Sequence, residues 1–130
     1  MIDDDPSELA ARVDRYCACW RVMEEAERLD RLRDLLAPDV RYVDPRTDVT
    51  GIEALAAHIG AVAAARPSAR IERTTPLDTH HDVARFGWHL VDVGERRLAG
   101  SIDVVRFARG TMLVRTILGF FGPLGADEGR

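Results

Sequence analysis

The stretch that decides the fold lies in the last third of the chain and reads Leu98-Ala99-Gly100-Ser101-Ile102-Asp103-Val104-Val105-Arg106-Phe107. Its β-branched and apolar residues are typical of a β-strand. In strict alternation, Asp103 shares the apolar face with Ser101, Val105 and Phe107, so its carboxyl group is expected to point into the protein. A buried, ionised and unpaired carboxylate is strongly destabilising. Asp103 is therefore predicted to be paired, hydrogen-bonded or protonated.

A second carboxylate stands at the end of another short apolar run, Tyr42-Val43-Asp44-Pro45. Two acids that close or interrupt apolar strands indicate an acid/base pocket inside a small barrel-like fold. A structural alternative remains open for each of them. Aspartate before proline is common in turns, and a buried acid can belong to a hydrogen-bonded structural network.

Three helices are predicted in the first half of the chain. The first begins at Asp5-Pro6-Ser7-Glu8, where an acidic N-cap, a proline at the first helical position and an early glutamate are typical of a helix start. Its apolar stripe continues to Trp20. Pro38 is expected to end the second, leucine-rich helix. A predicted capping box at Thr50-Gly51-Ile52-Glu53 opens the third helix, which continues to about residue 65.

The pattern changes to period two after Pro67, which predicts a run of antiparallel strands. The predicted strands are Val40–Val43, Arg70–Thr74, Val83–Val93, Arg97–Phe107 and Leu113–Phe121. The expected fold is α+β, with three N-terminal helices packed on a strongly curved, mostly antiparallel sheet that encloses a pocket. The 130 residues predict one domain over 1–130, with mobile ends at about 1–4 and 123–130.

The charge and apolar content of the chain limit the classes of partner that it is expected to bind. A net charge of −4 argues against a nucleic-acid surface. The acidic start Met1-Ile2-Asp3-Asp4-Asp5 does not fit a signal peptide, and no apolar run reaches membrane-spanning length, so a cytoplasmic protein without a membrane partner is expected.

Absent residue types narrow the chemistry. The chain has no lysine, which excludes Schiff-base chemistry, and no asparagine or glutamine that could orient a substrate. Cys17 and Cys19 face different directions on the predicted helix, so no disulfide joins them. The neighbouring His80 and His81 would point to opposite sides of an extended segment, which disfavours a shared metal ion. We expect no metal and no cofactor.

The chain resembles the nuclear-transport-factor-2-like superfamily, and within it the SnoaL-like and ketosteroid-isomerase-like proteins. The resemblance extends from about Ala10 to Phe121 and is clearest in Leu36-Ala37-Pro38-Asp39-Val40-Arg41-Tyr42-Val43-Asp44-Pro45, Thr50-Gly51, Ile102-Asp103-Val104 and Gly119-Phe120-Phe121-Gly122. It implies that Asp44 matches the aspartate that shuttles the proton. It also implies that Asp103 matches the neutral aspartic acid that donates to the oxyanion.

Two further catalytic candidates follow from the resemblance. The isomerases place a tyrosine on the first helix. Counting back from Asp44 without a gap puts that position at Trp20, whereas Tyr16 lies one helical turn earlier on the same stripe. His58 matches an aromatic pocket position and could act as an acid or base, because histidine exchanges protons near neutral pH. A histidine without chemistry is the equal alternative.

Large apolar side chains are expected to wall the pocket and bind the substrate, although aromatic residues of this kind also occur as plain core. They are Trp20, Leu55, Ile59, Phe86, Trp88 and Phe121. The opposite sheet face, with Arg85 and His89, is expected to form a homodimer interface, as is usual in the superfamily.

The leading function is a cofactor-independent acid/base enzyme of isomerase, cyclase or dehydratase type, acting on a small apolar, ring-containing or polyketide-like molecule. A non-catalytic binding or scaffold protein is the first alternative. An epoxide hydrolase, in which Asp103 and an arginine such as Arg115 would activate water, is the second. An enzyme requires an open cavity that reaches both Asp44 and Asp103.

Overall fold

The structure is a computed structural model that describes residues 5–92, 94, 96–97 and 100–125. These residues form three helices, α1 (Pro6–Ala18), α2 (Glu25–Leu35) and α3 (Ile52–Ala65). They also form the strands β1 (Leu36–Asp44), β2 (Thr47–Thr50), β3 (Arg70–Arg73), β4 (Asp78–His80), β5 (Val83–Asp92), β6 (Arg96–Arg97), β7 (Ser101–Phe107) and β8 (Val114–Phe120). None of the helices in this part of the chain has the length and apolar character of a membrane span.

The strands join in one curved sheet in the order β2-β1-β8-β7-β5-β3, with β4 and β6 paired to β5. Every pairing is antiparallel except that of β1 with β8, which is parallel. The prediction of an α+β fold with a mostly antiparallel sheet is confirmed. Because β1 and β8 are neighbours, the segment of Asp44 comes close to the chain's last strand, which in turn pairs with the strand of Asp103.

Strand β7 shows why the core lies on one face of the sheet. Ser101, Asp103, Val105 and Phe107 are all buried, and the residues between them are more exposed. This confirms that Asp103 shares the buried face. The helices cover that face, where α1 contributes Leu9 and Val13, and α3 contributes fully buried apolar side chains to the same core.

Several predicted boundaries are wrong by a few residues. Helix α2 ends at Leu35 and β1 already begins at the next residue, so Pro38 lies inside a strand. The β1–β8 register is irregular between Leu36 and Arg41, which places the missing N–H of Pro38 where the ladder is already interrupted. Helix α1 ends at Ala18, and Trp20 follows it in a turn.

The predicted capping box of α3 does not form. Thr50 pairs with Arg41 in the β1–β2 hairpin, so the N-cap moves one residue onward to Gly51, which has no side chain to accept a hydrogen bond. Gly51 has a φ of 96°, a conformation that glycine adopts without strain. By contrast, the predicted cap of α1 is present, because the Asp5 carboxylate accepts a hydrogen bond from the backbone N–H of Ser7.

The C-terminal strands also differ from the prediction. The predicted strand Arg97–Phe107 is divided into the short β6 and β7, and residues 98–99 between them lie outside the described residues, as does Val93. Most of the ends predicted to be mobile, 1–4 and 126–130, lie outside them as well. On β5, Arg85 is exposed and paired with Asp78. The homodimer stays a prediction.

Candidate active site

A cavity of about 550 Å³ opens between the helices and the concave face of the sheet. Its size is typical of a small-molecule site. Seven of the ten residues expected to form the site line it, and they are Tyr16, Trp20, Asp44, His58, Trp88, Asp103 and Phe121. Both carboxylates therefore reach the same cavity.

The two carboxylates stand on either side of Gly119, which lies on the strand between theirs. Asp103 on β7 pairs directly with Gly119 on β8. A Cβ atom added to Gly119 would lie 3.1 Å from Asp103 Oδ1 and 3.5 Å from the Asp44 Cβ. The space that any other residue would fill is thus occupied by the two acids, and a side chain at position 119 would crowd Asp103.

Asp103 is held in a largely apolar environment. It is 7% exposed, and its Oδ1 accepts a hydrogen bond of 2.9 Å from the Trp88 indole N–H. Burial raises the pKa of Asp103 to about 7; the Trp88 hydrogen bond lowers it and the negative charge of Asp44 raises it further. Near neutral pH a large fraction of Asp103 therefore keeps its proton and can donate a hydrogen bond.

Asp44 has a different set of partners. Its Oδ2 accepts a short hydrogen bond of 2.6 Å from the Tyr42 hydroxyl, and its Oδ1 accepts one of 2.8 Å from the backbone N–H of Arg46. His58 Nε2 lies 3.9 Å from Oδ2, which is within ion-pair range but too long for a hydrogen bond. Both oxygens of Asp44 thus face donors, in contrast to the single donor at Asp103.

An aromatic cluster forms the wall next to Asp44. The rings of Trp20, Tyr42 and His58 lie within 5.6–5.8 Å of one another, centroid to centroid, and Tyr16 meets Trp20 edge-on at 6.4 Å. Such distances are typical of favourable aromatic contacts. On the Asp103 side, Trp88 and Phe121 form a second edge-on pair at 6.2 Å.

Tyr16 and Trp20, the two candidates for a helix-1 donor, both line the cavity. The Tyr16 hydroxyl is buried, and no hydrogen-bond partner for it occurs among the described residues. Burial raises the pKa of Tyr16 well above its ordinary value, and the charge of nearby Asp103 raises it further. A neutral hydroxyl without a protein partner is available to a ligand in the cavity.

Three predicted binding residues are corrected by the structure. Leu55 and Ile59 are fully buried in the core, and Phe86 is 2% exposed; none of them lines the cavity. On α3 the cavity is lined by His58, Val62, Ala63 and Ala65, whereas the large side chains of Leu55 and Ile59 pack in the hydrophobic core and leave no space beside them.

Among the positions at this site that the sequence analysis missed, three affect the surroundings of the two carboxylates or the cavity mouth. Tyr42 lies two residues before Asp44, so alternation places both on one face of β1, and this signal was present in the sequence. Arg46 lines the cavity from the turn after β1. Gly119 gave no chemical signal, because its contribution is the absence of a side chain.

No group of histidine, cysteine and acidic side chains within the described ranges is arranged to hold a metal ion. His80 and His81 lie at the turn between β4 and β5. Arg115, the arginine suggested for an epoxide hydrolase, is exposed and does not line the cavity. What the cavity offers is a carboxylate with two donors, a carboxyl group whose pKa burial raises to about 7, and the Tyr16 hydroxyl.

This fold, three helices on a curved and mostly antiparallel sheet, is also that of proteins of the nuclear-transport-factor-2-like superfamily. Residues 13–115 match the SnoaL-like domain, and the chain belongs to that family. Among curated proteins none matches it.

Solved structures agree with this assignment. A proposed isomerase of the SnoaL-like family from Agrobacterium tumefaciens is 26% identical, with a TM-score of 0.80 over 88% of this chain and 97% of that one. A nuclear transport factor 2-like superfamily protein from Salmonella enterica is 16% identical, with a TM-score of 0.69 over 95% of this chain and 94% of that one. A proposed ketosteroid isomerase from Kribbella flavida is 19% identical, with a TM-score of 0.64 over 93% of this chain and 82% of that one. The last two show the shared fold alone.

Proposed function

We propose that the protein is a cofactor-independent acid/base enzyme of isomerase or cyclase type that moves a proton next to a carbonyl group of a small, apolar, ring-containing molecule. The observation that supports this most directly is the pair Asp44 and Asp103, which reach one cavity from both sides of Gly119. Family membership and the similarity to a proposed SnoaL-like isomerase point the same way.

Asp44 is the proposed base. Its carboxylate takes a proton from the carbon beside the carbonyl, and the electron pair of the broken C–H bond moves into an enolate. The Tyr42 hydroxyl and the Arg46 N–H hold the carboxylate in one orientation during this transfer. His58, 3.9 Å away, is close enough to exchange a proton with Asp44 after a small movement of either side chain.

Asp103 is the proposed acid that stabilises the oxyanion. Its Oδ1 is occupied by the Trp88 indole, which leaves Oδ2 to carry the proton and donate it in a hydrogen bond. The free Tyr16 hydroxyl supplies a second donor. Donors fixed in advance in a largely apolar site stabilise developing negative charge more effectively than water does.

The same arrangement of Asp44 and Asp103 could catalyse either an isomerisation or a cyclisation. In an isomerase, Asp44 returns its proton to a different carbon of the enolate, and a double bond has moved. In a cyclase, the enolate carbon attacks a second carbonyl of the same molecule, a C–C bond forms, and the proton goes to the new alkoxide. In both cases the protons and electrons balance without a cofactor, and the substrate decides which reaction follows.

The test uses 2-tetralone, a small bicyclic ketone whose protons beside the carbonyl exchange slowly in D₂O and can be followed by NMR. The wild-type protein is expected to accelerate this exchange. Asp44→Asn keeps an acceptor for the Tyr42 hydroxyl but lacks the base, so the acceleration should fall by about 100-fold or more. Asp39→Asn, on the same strand but exposed, is the matched control and should leave the rate unchanged.

Two results would overturn the proposal. One is exchange no faster than with heat-denatured protein although 2-tetralone binds, which would leave the chain a binding protein. The other is equal acceleration by the Asp44→Asn and Asp39→Asn variants, which would place the proton transfer elsewhere.

A further inference from the structure

The opening of the cavity is positively charged, whereas its inner end is acidic. Arg46 and Arg66 both line the cavity and are both exposed, which places them at its mouth. Arg66 Nη1 donates a hydrogen bond of 2.9 Å to Asp92 Oδ2, so its charge is matched by a protein carboxylate. Arg46 has no ion pair with any described residue.

The two acidic residues nearest to Arg46 in the sequence do not pair with its guanidinium group. Asp48, in the same hairpin, is engaged by Arg41 through two hydrogen bonds of 2.8 and 3.0 Å. Asp44 accepts from the backbone N–H of Arg46 and not from its guanidinium group. Arg46 therefore lines the cavity at its mouth, and its guanidinium group makes no hydrogen bond or ion pair with any described residue, so its planar set of donors suits a carboxylate.

The inner end of the cavity sets the orientation of a ligand. An anionic group placed there would face the negative charge of Asp44, and like charges in close contact are strongly unfavourable. An anionic group at the mouth meets Arg46 and remains partly hydrated. Arg46 follows Asp44 by two residues, so their Cα atoms are at most about 7 Å apart. A molecule of one or two rings with its reacting carbon at Asp44 therefore brings its far end within reach of the guanidinium group.

From these contacts we infer that the substrate is a ring-containing carboxylic acid, bound with its apolar rings inside the cavity and its carboxylate at Arg46. The inference rests on the proposed function in taking this cavity as the substrate site. It adds the acidic group, the orientation and the residue that selects for them.

The test compares two fluorescent probes that share an anilinonaphthalene ring system. 8-Anilino-1-naphthalenesulfonate carries an anionic group, and N-phenyl-1-naphthylamine does not. Both tryptophans of the chain, Trp20 and Trp88, line the cavity. Energy transfer from these tryptophans therefore reports a probe that is bound to the protein at or near the cavity.

We expect Arg46→Met to weaken binding of the sulfonate probe by about fivefold and to change binding of the neutral probe by less than about twofold, because only the sulfonate loses an ion pair. Arg41→Met in the same hairpin is the control and should leave both affinities nearly unchanged. 2-Naphthoate should displace the neutral probe from the wild-type protein better than 2-naphthamide does, and Arg46→Met should abolish that preference.

An unchanged ratio of the two probe affinities in Arg46→Met would overturn the inference. So would an equal loss in Arg41→Met, or the absence of tryptophan-sensitised probe fluorescence from the folded wild-type protein. None of these measurements requires turnover. A failure of 2-tetralone exchange would therefore reject the proposed reaction while leaving this result intact.

Discussion

The two ends of the concave sheet face have the same secondary structure but different contents. At the closed end, Leu55 and Ile59 of α3 belong to the same buried apolar cluster as Phe86 and Ile117 of the sheet, and none of the four lines the cavity. At the open end, several residues that line or border the cavity are small. They include Ala63, Ala65, Ala69, Ser101 and Gly119.

The difference shows that side-chain volume, and not the amphipathic pattern, decides where a cavity opens. Large apolar residues fill the space between helix and sheet to the density of a protein interior. Small residues leave that space to a ligand, and the carboxyl groups at this end then face the ligand in place of other side chains.

The first prediction concerns the proton that the Asp103 carboxyl group carries at the open end. The ordinary pKa of an aspartate is 3.8, and Asp103 has a pKa of about 7 in the folded protein. The folded state therefore holds a proton that the unfolded state releases, and stability falls as pH rises from about 4 to about 7. The whole effect amounts to about 4 kcal/mol.

Asp103→Asn still accepts the hydrogen bond from the Trp88 indole but cannot ionise. Its free energy of unfolding, measured with urea at a series of pH values, should not show this decline. The variant should therefore be more stable than the wild type, and the difference should be largest above about pH 7. Asp39→Asn should follow the wild-type curve. If the wild-type and Asp103→Asn curves run parallel, Asp103 does not carry the proton.

The second prediction compares one leucine from each end. Leu55 is fully buried, so Leu55→Ala should lower the free energy of unfolding by about 3 kcal/mol, through lost burial and a new cavity. Leu90 lines the existing cavity, so Leu90→Ala should lower it by only about 1 kcal/mol. Equal losses in chemical denaturation would mean that the open end is packed as tightly as the closed one.

The third prediction concerns Gly119→Ala, which adds a methyl group between the carboxylates of Asp44 and Asp103. A Cβ atom on Gly119 would press against Asp103 Oδ1 at 3.1 Å, so Gly119→Ala should displace the carboxyl group by a few tenths of an ångström. Because proton transfer depends on such positions, we expect the exchange of 2-tetralone to slow by about tenfold. Gly125→Ala is the control, since its Cβ would have no atom within 4 Å. A rate equal to that of the control would show that position 119 does not set the geometry.

The sequence was sufficient to predict the α+β layout and the two carboxylates. Alternation along β7 places Asp103 on the buried face, and this needs no knowledge of the partner strands. The boundaries of α2 and β1 were missed, because Pro38 can end a helix or lie in an irregular stretch of strand. Helical periodicity places Leu55 and Ala63 on the same face of α3, so it cannot tell which turn covers the core and which covers the cavity.

The positions that depend on strand order were beyond the sequence. Gly119 lies between Asp44 and Asp103 only because β8 lies between β1 and β7 in the sheet. That arrangement depends on the pairing of β1 with β8, which is the one parallel pair of the described sheet. Tyr42 is the opposite case. It shares a strand and a face with Asp44, so period two would have identified it.

The most direct test of the central claim is the titration of the Asp103 carboxyl carbon by ¹³C NMR in protein labelled at aspartate, with the signal assigned by its loss in Asp103→Asn. Burial and the charge of Asp44 should give a pKa of about 7, and Asp44→Asn should lower it by removing that charge. A midpoint near the ordinary value of 3.8, unaffected by Asp44→Asn, would contradict the assignment of Asp103 as the neutral hydrogen-bond donor of this cavity.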